Sequence, residues 1–428
     1  NKIKGEDGVG LESTEIFYVG SINGQTPPES GWLDEIPVVP PGEFLWTRVT
    51  QTFDDNTTSV SYSVSKMGED GEKGKDSYVH TMFANDIDFG DYDYSGNPNL
   101  MTVLKASDFL TQSGATIEDF NGGLKVTFTK TDGATFLESR KNIPALLPNK
   151  QYTLSADVTV SEGYTGKLDN LRLGYRKFPN GTIILPLTAK DAQVGKKTKI
   201  FITANSSSAT DPSIFGRMYF TINTTSTEPF VGTVLIENIK VEEGTTATPY
   251  QPNLIEEPYQ ISHEPLGKNI LKPSTFPIKN SEYMVANFIP DEPYIEGQTY
   301  TFTMEATKPS TQTFGIYLRA GSLGAGNMKP VEGLTDVWQV TFTPNKDHIN
   351  GGANGLNVFQ LPSTTKGEVN IKWAKLEKGG TRTPNIDAFK YVGFYTGELA
   401  EAPNDPTIYK WNKIKGEDGV GLESTEIF

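Results

Sequence analysis

Three histidines, His80, His263 and His348, stand in three separate segments, and the chain has no cysteine. Nucleophilic triads, zinc cages and thiol mechanisms need such groups gathered at set spacings. No such spacing occurs, so each histidine reads as a surface or strand residue. Acidic residues number 53, yet no two carboxylates are marked out as the acid and base of a glycosidase. Asp86, Asp88, Asp91 and Asp93 come nearest to a metal loop. Gly90 falls where a calcium ligand should sit and no Glu closes the run, so a solvated turn is expected, with a structural calcium ion as the alternative. No enzyme and no organic cofactor is expected.

Binding chemistry has better candidates. A ring carried off the core face, with a planar polar group beside it, can grip a ligand that has both apolar and hydroxylated faces. Tyr317 and Arg319 alternate on one face of FGIYLRA, and Tyr175 and Arg176 occur in the corresponding LGYRK. Core or rim packing is the commoner role for each. In VNIKWAKLEKG, Ala374 and Leu376 form the core-facing set, so Trp373 shares the opposite face with Lys375 and Glu377. Trp373 is then free to stack on a ligand or to cover a neighbouring module, and the second use is preferred. Trp338 shares a face with Val340 and Phe342 and is expected in the core. The Gly/Asn-rich loop at 350–357 reads as an ordinary turn or a binding edge.

These residues sit on strands. With 42 Gly and 27 Pro among 428 residues, short runs of Thr, Val, Ile, Tyr and Phe recur between turn signals. That pattern belongs to an all-β, multi-module protein. Val60, Tyr62 and Val64 alternate with serines, as a half-buried strand requires. The net charge of −15 disfavours nucleic acid, anionic membrane surfaces and polyanionic ligands, and favours a neutral polymer or another protein. No apolar run is long enough to span a membrane.

Two repeats organise the chain. NKIKGEDGVGLESTEIF occurs at 1–17 and again, letter for letter, at 412–428. The chain therefore reads as one period of a tandem array cut from a longer polypeptide. Glycines 68, 71 and 74 fall at period three, but three triplets without abundant proline read as a linker. A fainter duplication lies inside. NPNLM, NKQYTLSAD and KVEEGTTATP return in order as GKNIL, GQTYTFTME and KLEKGGTRTP. The matching pairs include Tyr152 with Tyr300, Lys240 with Lys375, Glu242 with Glu377 and Gly244 with Gly379. Two copies of one β-sandwich or jelly roll are expected.

The opening N-L-L-like and closing K-x-E-x-G-x-x-x-T-P-like stretches resemble jelly-roll carbohydrate-binding modules in tail and adhesion proteins of phages that infect Gram-positive bacteria. The flanks GVGLESTEIFYVGS and KYVGFYTGELAEAPNDPTIYKWNKIKGEDG are similar to the spacer modules of such tail, baseplate and neck-appendage proteins. The resemblance implies two jelly-roll domains carried on small β spacer modules in an extracellular virion protein used for host attachment. It implies host cell-wall polysaccharide as ligand and other virion tail or neck proteins as partners, with homo-oligomers open. In those proteins a stretch like YVHTMFAND is soon followed by one like KYVGFYTG. Here the two are separated, which implies an insertion. The expected division is a spacer module over 1–76, half of a split module over 77–96, sandwiches over 97–257 and 258–386, the other half over 387–415, and the next repeat from 416. The alternatives are a ligand-free fibre or neck whisker, the binding appendage of a tail-associated lysin, and a bacterial adhesin built from prophage-like modules.

Overall fold

In the computed structural model the described residues are 10–68, 77–110, 113–206, 215–225, 229–350, 355–385 and 389–414. Most of both copies of the exact repeat, Gly71 and Gly74, and residues 351–354 of the Gly/Asn-rich loop lie outside them. The fold is all-β and divides into two compact units: 1–90 with 257–268 and 383–428, and 91–256 with 269–382.

Two three-stranded antiparallel sheets make the first unit. One orders Leu11–Ser21, Phe44–Phe53 and Thr58–Lys66. On its last strand Val60 and Val64 are 42% and 39% exposed, against the half-buried face expected of them. They flank Tyr62 on the face that carries Arg48, and it is Tyr62 that the Trp32 ring meets, at 5.6 Å. The other sheet orders Lys410–Lys413, Tyr391–Gly397 and Tyr78–Ala84. The last two strands pair antiparallel from Tyr391 opposite Ala84 to Gly397 opposite Tyr78, although both sandwiches separate them in sequence. The two stretches assigned to one split module therefore lie side by side in one sheet. The segment between the sandwiches, 257–268, also lies in this unit. Phe83 and Ser262 exchange both backbone hydrogen bonds, at 2.7 and 3.0 Å. Phe53, Phe83, Phe389, Val392 and Ile414 form the core, with Leu11, Leu266 and Phe394 packed against it. Without Tyr78–Ala84 the second sheet would be a two-stranded piece, which is marginal in water.

The second unit holds two sandwiches. In the first, the large sheet orders Thr198–Asn205, Gln151–Val160, Gly232–Glu243, Gly123–Phe128 and Ala115–Phe120; the small sheet orders Thr182–Thr188, Leu171–Phe178, Arg217–Thr224 and Phe136–Glu138. The second sandwich orders Ile278–Asn280, Val369–Lys378, Tyr300–Thr307, Val337–Phe342 and Lys329–Pro330 in its large sheet. Its small sheet orders Met284–Phe288, Leu356–Leu361, Thr313–Leu318 and Leu323–Asn327. Matched strand by strand, the small sheets agree throughout and the large sheets agree over four strands. Each large sheet adds one further strand, at opposite edges.

The duplicated motifs make the same bonds in both copies. Tyr152 Oη accepts from Leu147 N at 2.9 Å and Tyr300 Oη from Ile295 N at 3.0 Å. Gly244 and Gly379 both take φ +109°, and each N–H bonds the residue before the matched tyrosine, Gln151 at 2.8 Å and Thr299 at 2.9 Å. A side chain would strain that left-handed backbone, which explains the glycine in both closing motifs. The Lys-x-Glu pairs face away from the core but not toward water. Lys240 and Glu242 lie 3.3 Å apart, both fully buried, and Lys375 and Glu377 repeat this at 3.3 Å. In the first copy the chain folds back over the pair: Lys240 donates to Thr248 Oγ1 at 2.6 Å and to Pro249 O at 2.7 Å, while Glu242 accepts from Thr248 N at 2.9 Å. The Thr-Pro of the motif is therefore the cover of a buried ion pair. Burial pushes Lys375 down to about 8 against the opposing pull of Glu377. The sandwiches also bond to each other: Ala145 N to Leu334 O and Gly333 N to Ala145 O, both at 3.0 Å, and Lys150 Nζ to Glu332 Oε2 at 2.8 Å.

Candidate functional site

On the small sheet of the second sandwich, Phe314, Ile316 and Leu318 alternate inward and are fully buried. Gly315 and Tyr317 therefore point outward. The register sets Gly315 opposite Phe359 and Tyr317 opposite Asn357. A side chain at Gly315 would come within 2.6 Å of Leu361 and 3.1 Å of the Tyr317 ring, so glycine makes room for that ring to lie along the sheet. Phe359 is the hub of three rings. Its centroid is 5.0 Å from Tyr317 at 68° and 4.8 Å from Tyr283 at 57°. Such tilted pairs are favourable aromatic contacts. Polar groups on the same face include the amides of Asn357, which donates to Met284 Sδ at 3.3 Å, and of the exposed Asn287 and Asn327, with the hydroxyl of Thr313. Asn357 Oδ1 is buried with no hydrogen-bond partner.

The other sequence-selected residues go to different places. Arg319 is not the next outward residue of the strand, which ends at Leu318. It sits exposed in a turn at φ +51°, its carbonyl accepting from Ser322 Oγ at 2.7 Å. Trp373 lies on the large sheet, away from the ring cluster. It is half-buried and its Nε1 donates to Glu305 Oε2 at 2.8 Å. Trp338 is in the core, 2% exposed, and donates to Ala306 O at 2.8 Å. Tyr175 is fully buried in the first sandwich and its hydroxyl donates to Pro144 O. It has no surface to offer a ligand, because Leu171, Leu173 and Tyr175 are the inward set of that strand. Arg176 takes the outward place, donating from Nε to Thr221 Oγ1 at 3.0 Å and from Nη1 to Gly181 O at 2.7 Å.

No known protein family matches the chain, and no curated protein does. Some solved structures resemble parts of the chain at low similarity. The C-terminal CBM6 of LamC, a laminarinase from Zobellia galactanivorans, is 15% identical with a TM-score of 0.20, covering 31% of this chain and 95% of that one. The tripod from the baseplate of bacteriophage Tuc2009 is 16% identical with a TM-score of 0.26, covering 72% and 99%. The tandem CBM22 domains of Paenibacillus barcinonensis Xyn10C are 10% identical with a TM-score of 0.21, covering 67% and 99%. Likeness at this level leaves function to be argued from the chain's own residues.

Among the described residues no group of three or more His, Asp or Glu side chains is placed to hold a metal ion. Asp86 and Asp93 instead accept from the backbone two residues on, Asp88 N and Ser95 N, each at 3.0 Å, as Asx turns do. Phe359 and Tyr283 had no sequence signal of their own. LNVFQL alternates Asn357, Phe359 and Leu361 against Leu356, Val358 and Gln360, and neither set is clearly the apolar one.

Proposed function

We propose that this chain is a non-catalytic binding protein that takes a neutral saccharide on the Tyr317–Phe359–Tyr283 face. The observation that carries the reading is this ring cluster on an outer sheet face, ringed by amides. Rings meet the C–H face of a sugar, and amides pair with its hydroxyls. In the proposed setting the chain is part of the virion of a phage that infects Gram-positive bacteria, and the saccharide belongs to the host cell wall. The spacer and sandwich motifs support that setting. Arg319 borders the face from its turn. Trp373, on the other sheet, is proposed for docking a neighbouring module. Weak binding per site would be strengthened by repetition along the array, by a homo-oligomer or by assembly with other tail or neck proteins.

The test is calorimetric titration of the chain with purified host-wall polysaccharide and neutral oligosaccharides. Tyr317→Ala and Phe359→Ala are each expected to weaken binding about tenfold or more. No reducing ends should be released above a heat-killed control. Absence of binding by the unaltered chain would leave the ligand-free fibre as the better reading.

A further inference from the structure

The two sandwiches keep the same internal bonds and differ on their outer small-sheet faces. Where the second carries Gly315 and Tyr317, the first carries Gly174 and Arg176. Around Arg176 the register gathers two more arginines. Arg172 lies opposite Asn223 and Thr188, Arg176 opposite Tyr219 and Ile183, and Arg217 lies on the same face of the neighbouring strand. The carboxylate facing them is Glu138, and it is taken: Arg217 Nη2 donates to Glu138 Oε1 at 2.8 Å. The remaining neighbours are Phe136, 5.0 Å below the Arg176 guanidinium, with Thr221, Asn223, Thr188 and Pro186. Arg172 has no hydrogen-bond or ion-pair partner among the described residues, and its Nε is buried without one. Among the described residues Arg172 and Arg176 thus share one face with no ion pair of their own, in a chain whose net charge is −15.

We propose that the outer small-sheet face of the first sandwich is an anion-recognising site for a saccharide bearing an isolated carboxylate or phosphate group. The geometry fits that class. Phe136 supplies a ring, Asn223 an amide, and Arg172 the uncommitted planar fork that pairs with carboxylate or phosphate oxygens. The strongly negative chain repels a dense polyanion at longer range, so a neutral backbone with a single anionic substituent is the better match. The duplication has then kept one scaffold and given its two copies different ligand chemistries. This site is independent of the neutral-sugar face, which lies on the other sandwich.

The experiment is titration of the full chain at low salt with three matched oligosaccharides: one with a uronic acid, one with a phosphate substituent, and the neutral parent. Arg172→Gln is the informative variant, because Arg172 holds no other residue in place. Tyr317→Ala serves alongside it to remove the neutral site. The expected result is that in the Tyr317→Ala chain one or both anionic sugars still bind while the neutral parent does not, and that adding Arg172→Gln weakens this binding about tenfold or more. Binding should also weaken as salt is raised. Preference for the uronic acid or for the phosphate tells the two anion sources apart. Equal binding of the neutral parent by the Tyr317→Ala chain, no anion binding at low salt, or anion binding by that chain indifferent to Arg172→Gln would each overturn the proposal.

Discussion

Asn99 and Asn269 do the same work at the entrances of the two sandwiches. Asn99 Oδ1 accepts from Met101 N at 2.9 Å and Val241 N at 3.1 Å; Asn269 Oδ1 accepts from Leu271 N at 3.1 Å and Leu376 N at 3.0 Å. Each amide thereby ties the first residues of its domain to the last strand. The opening and closing sequence motifs are two halves of one clasp. Replacing Asn99 by Leu strands two backbone donors, and Asn99 is 2% exposed. A loss of about 2–4 kcal/mol is expected, read by urea unfolding of the chain. A loss under half a kcal/mol, within the range of ordinary surface changes, would show that the clasp is dispensable.

The ladder shared by Tyr78–Ala84 and Tyr391–Gly397 makes a second prediction. Phe83 is fully buried, with the Phe389 ring 5.2 Å away although both sandwiches separate the two in sequence. Phe83→Ala should cost about 3–5 kcal/mol. Because Tyr78–Ala84 and Tyr391–Gly397 share one ladder, both should gain hydrogen-exchange rate together while strand Tyr300–Thr307 stays protected. Release of one strand without the other would contradict the pairing.

Physical reasons separate what was legible in the sequence from what was not. The clasp residues, the buried Lys-x-Glu pairs and the φ +109° glycines are locally demanding, so both copies retained them and the duplication could be read. The face residues are less constrained. Tyr175 and Arg176 are neighbours on one strand, and a preceding glycine carries no apolar signal to say which faces inward. The alternation that paired Tyr317 with Arg319 failed because the strand stops at Leu318 and the backbone turns left-handed at Arg319 and Ala320. Phe359 and Tyr283 reach Tyr317 only through strand register, which local pattern does not specify.

Two tryptophans of one domain should respond oppositely to truncation. Trp338 fills the core beside Phe314 and Phe215, with centroids at 5.6 and 5.9 Å. Trp373 is half-buried on the outer face. Trp338→Ala should cost about 3–5 kcal/mol, whereas Trp373→Ala should cost about 1 kcal/mol, mostly the bond to Glu305. Melting temperatures of the two variants check this. Equal losses would mean that Trp373 is a structural residue and would remove it as a docking candidate.

The last prediction concerns pH. Lys308 of the second sandwich is 8% exposed, donates to Phe215 O of the first, and lies 4.9 Å from the Trp338 ring centre. Burial pushes it down to about 7, with Asp336 pulling weakly the other way. Burial likewise pushes Asp336 up to about 6, opposed by its bonds from Asn142 Nδ2 at 2.9 and 2.7 Å. The unfolded chain holds the Lys308 proton up to about pH 10. Between pH 7 and that value it binds more protons than the folded chain, so stability from Lys308 rises with pH. For Asp336 the order reverses. The folded chain keeps the proton from about pH 4 up to about 6, so its stabilising share is lost as pH rises through that window. Lys375, held at about 8, slopes the same way as Lys308, so the comparison must be made between variants. Lys308→Met should be stabilised relative to the unaltered chain most strongly at pH 7 and below, with the difference shrinking by a few kcal/mol toward pH 10. Asp336→Asn should remove the fall between pH 4 and 6 and leave the alkaline limb intact. Urea midpoints across pH 4–10 measure both, and a Lys308→Met difference that does not change with pH would show that the ammonium is not desolvated in the folded chain.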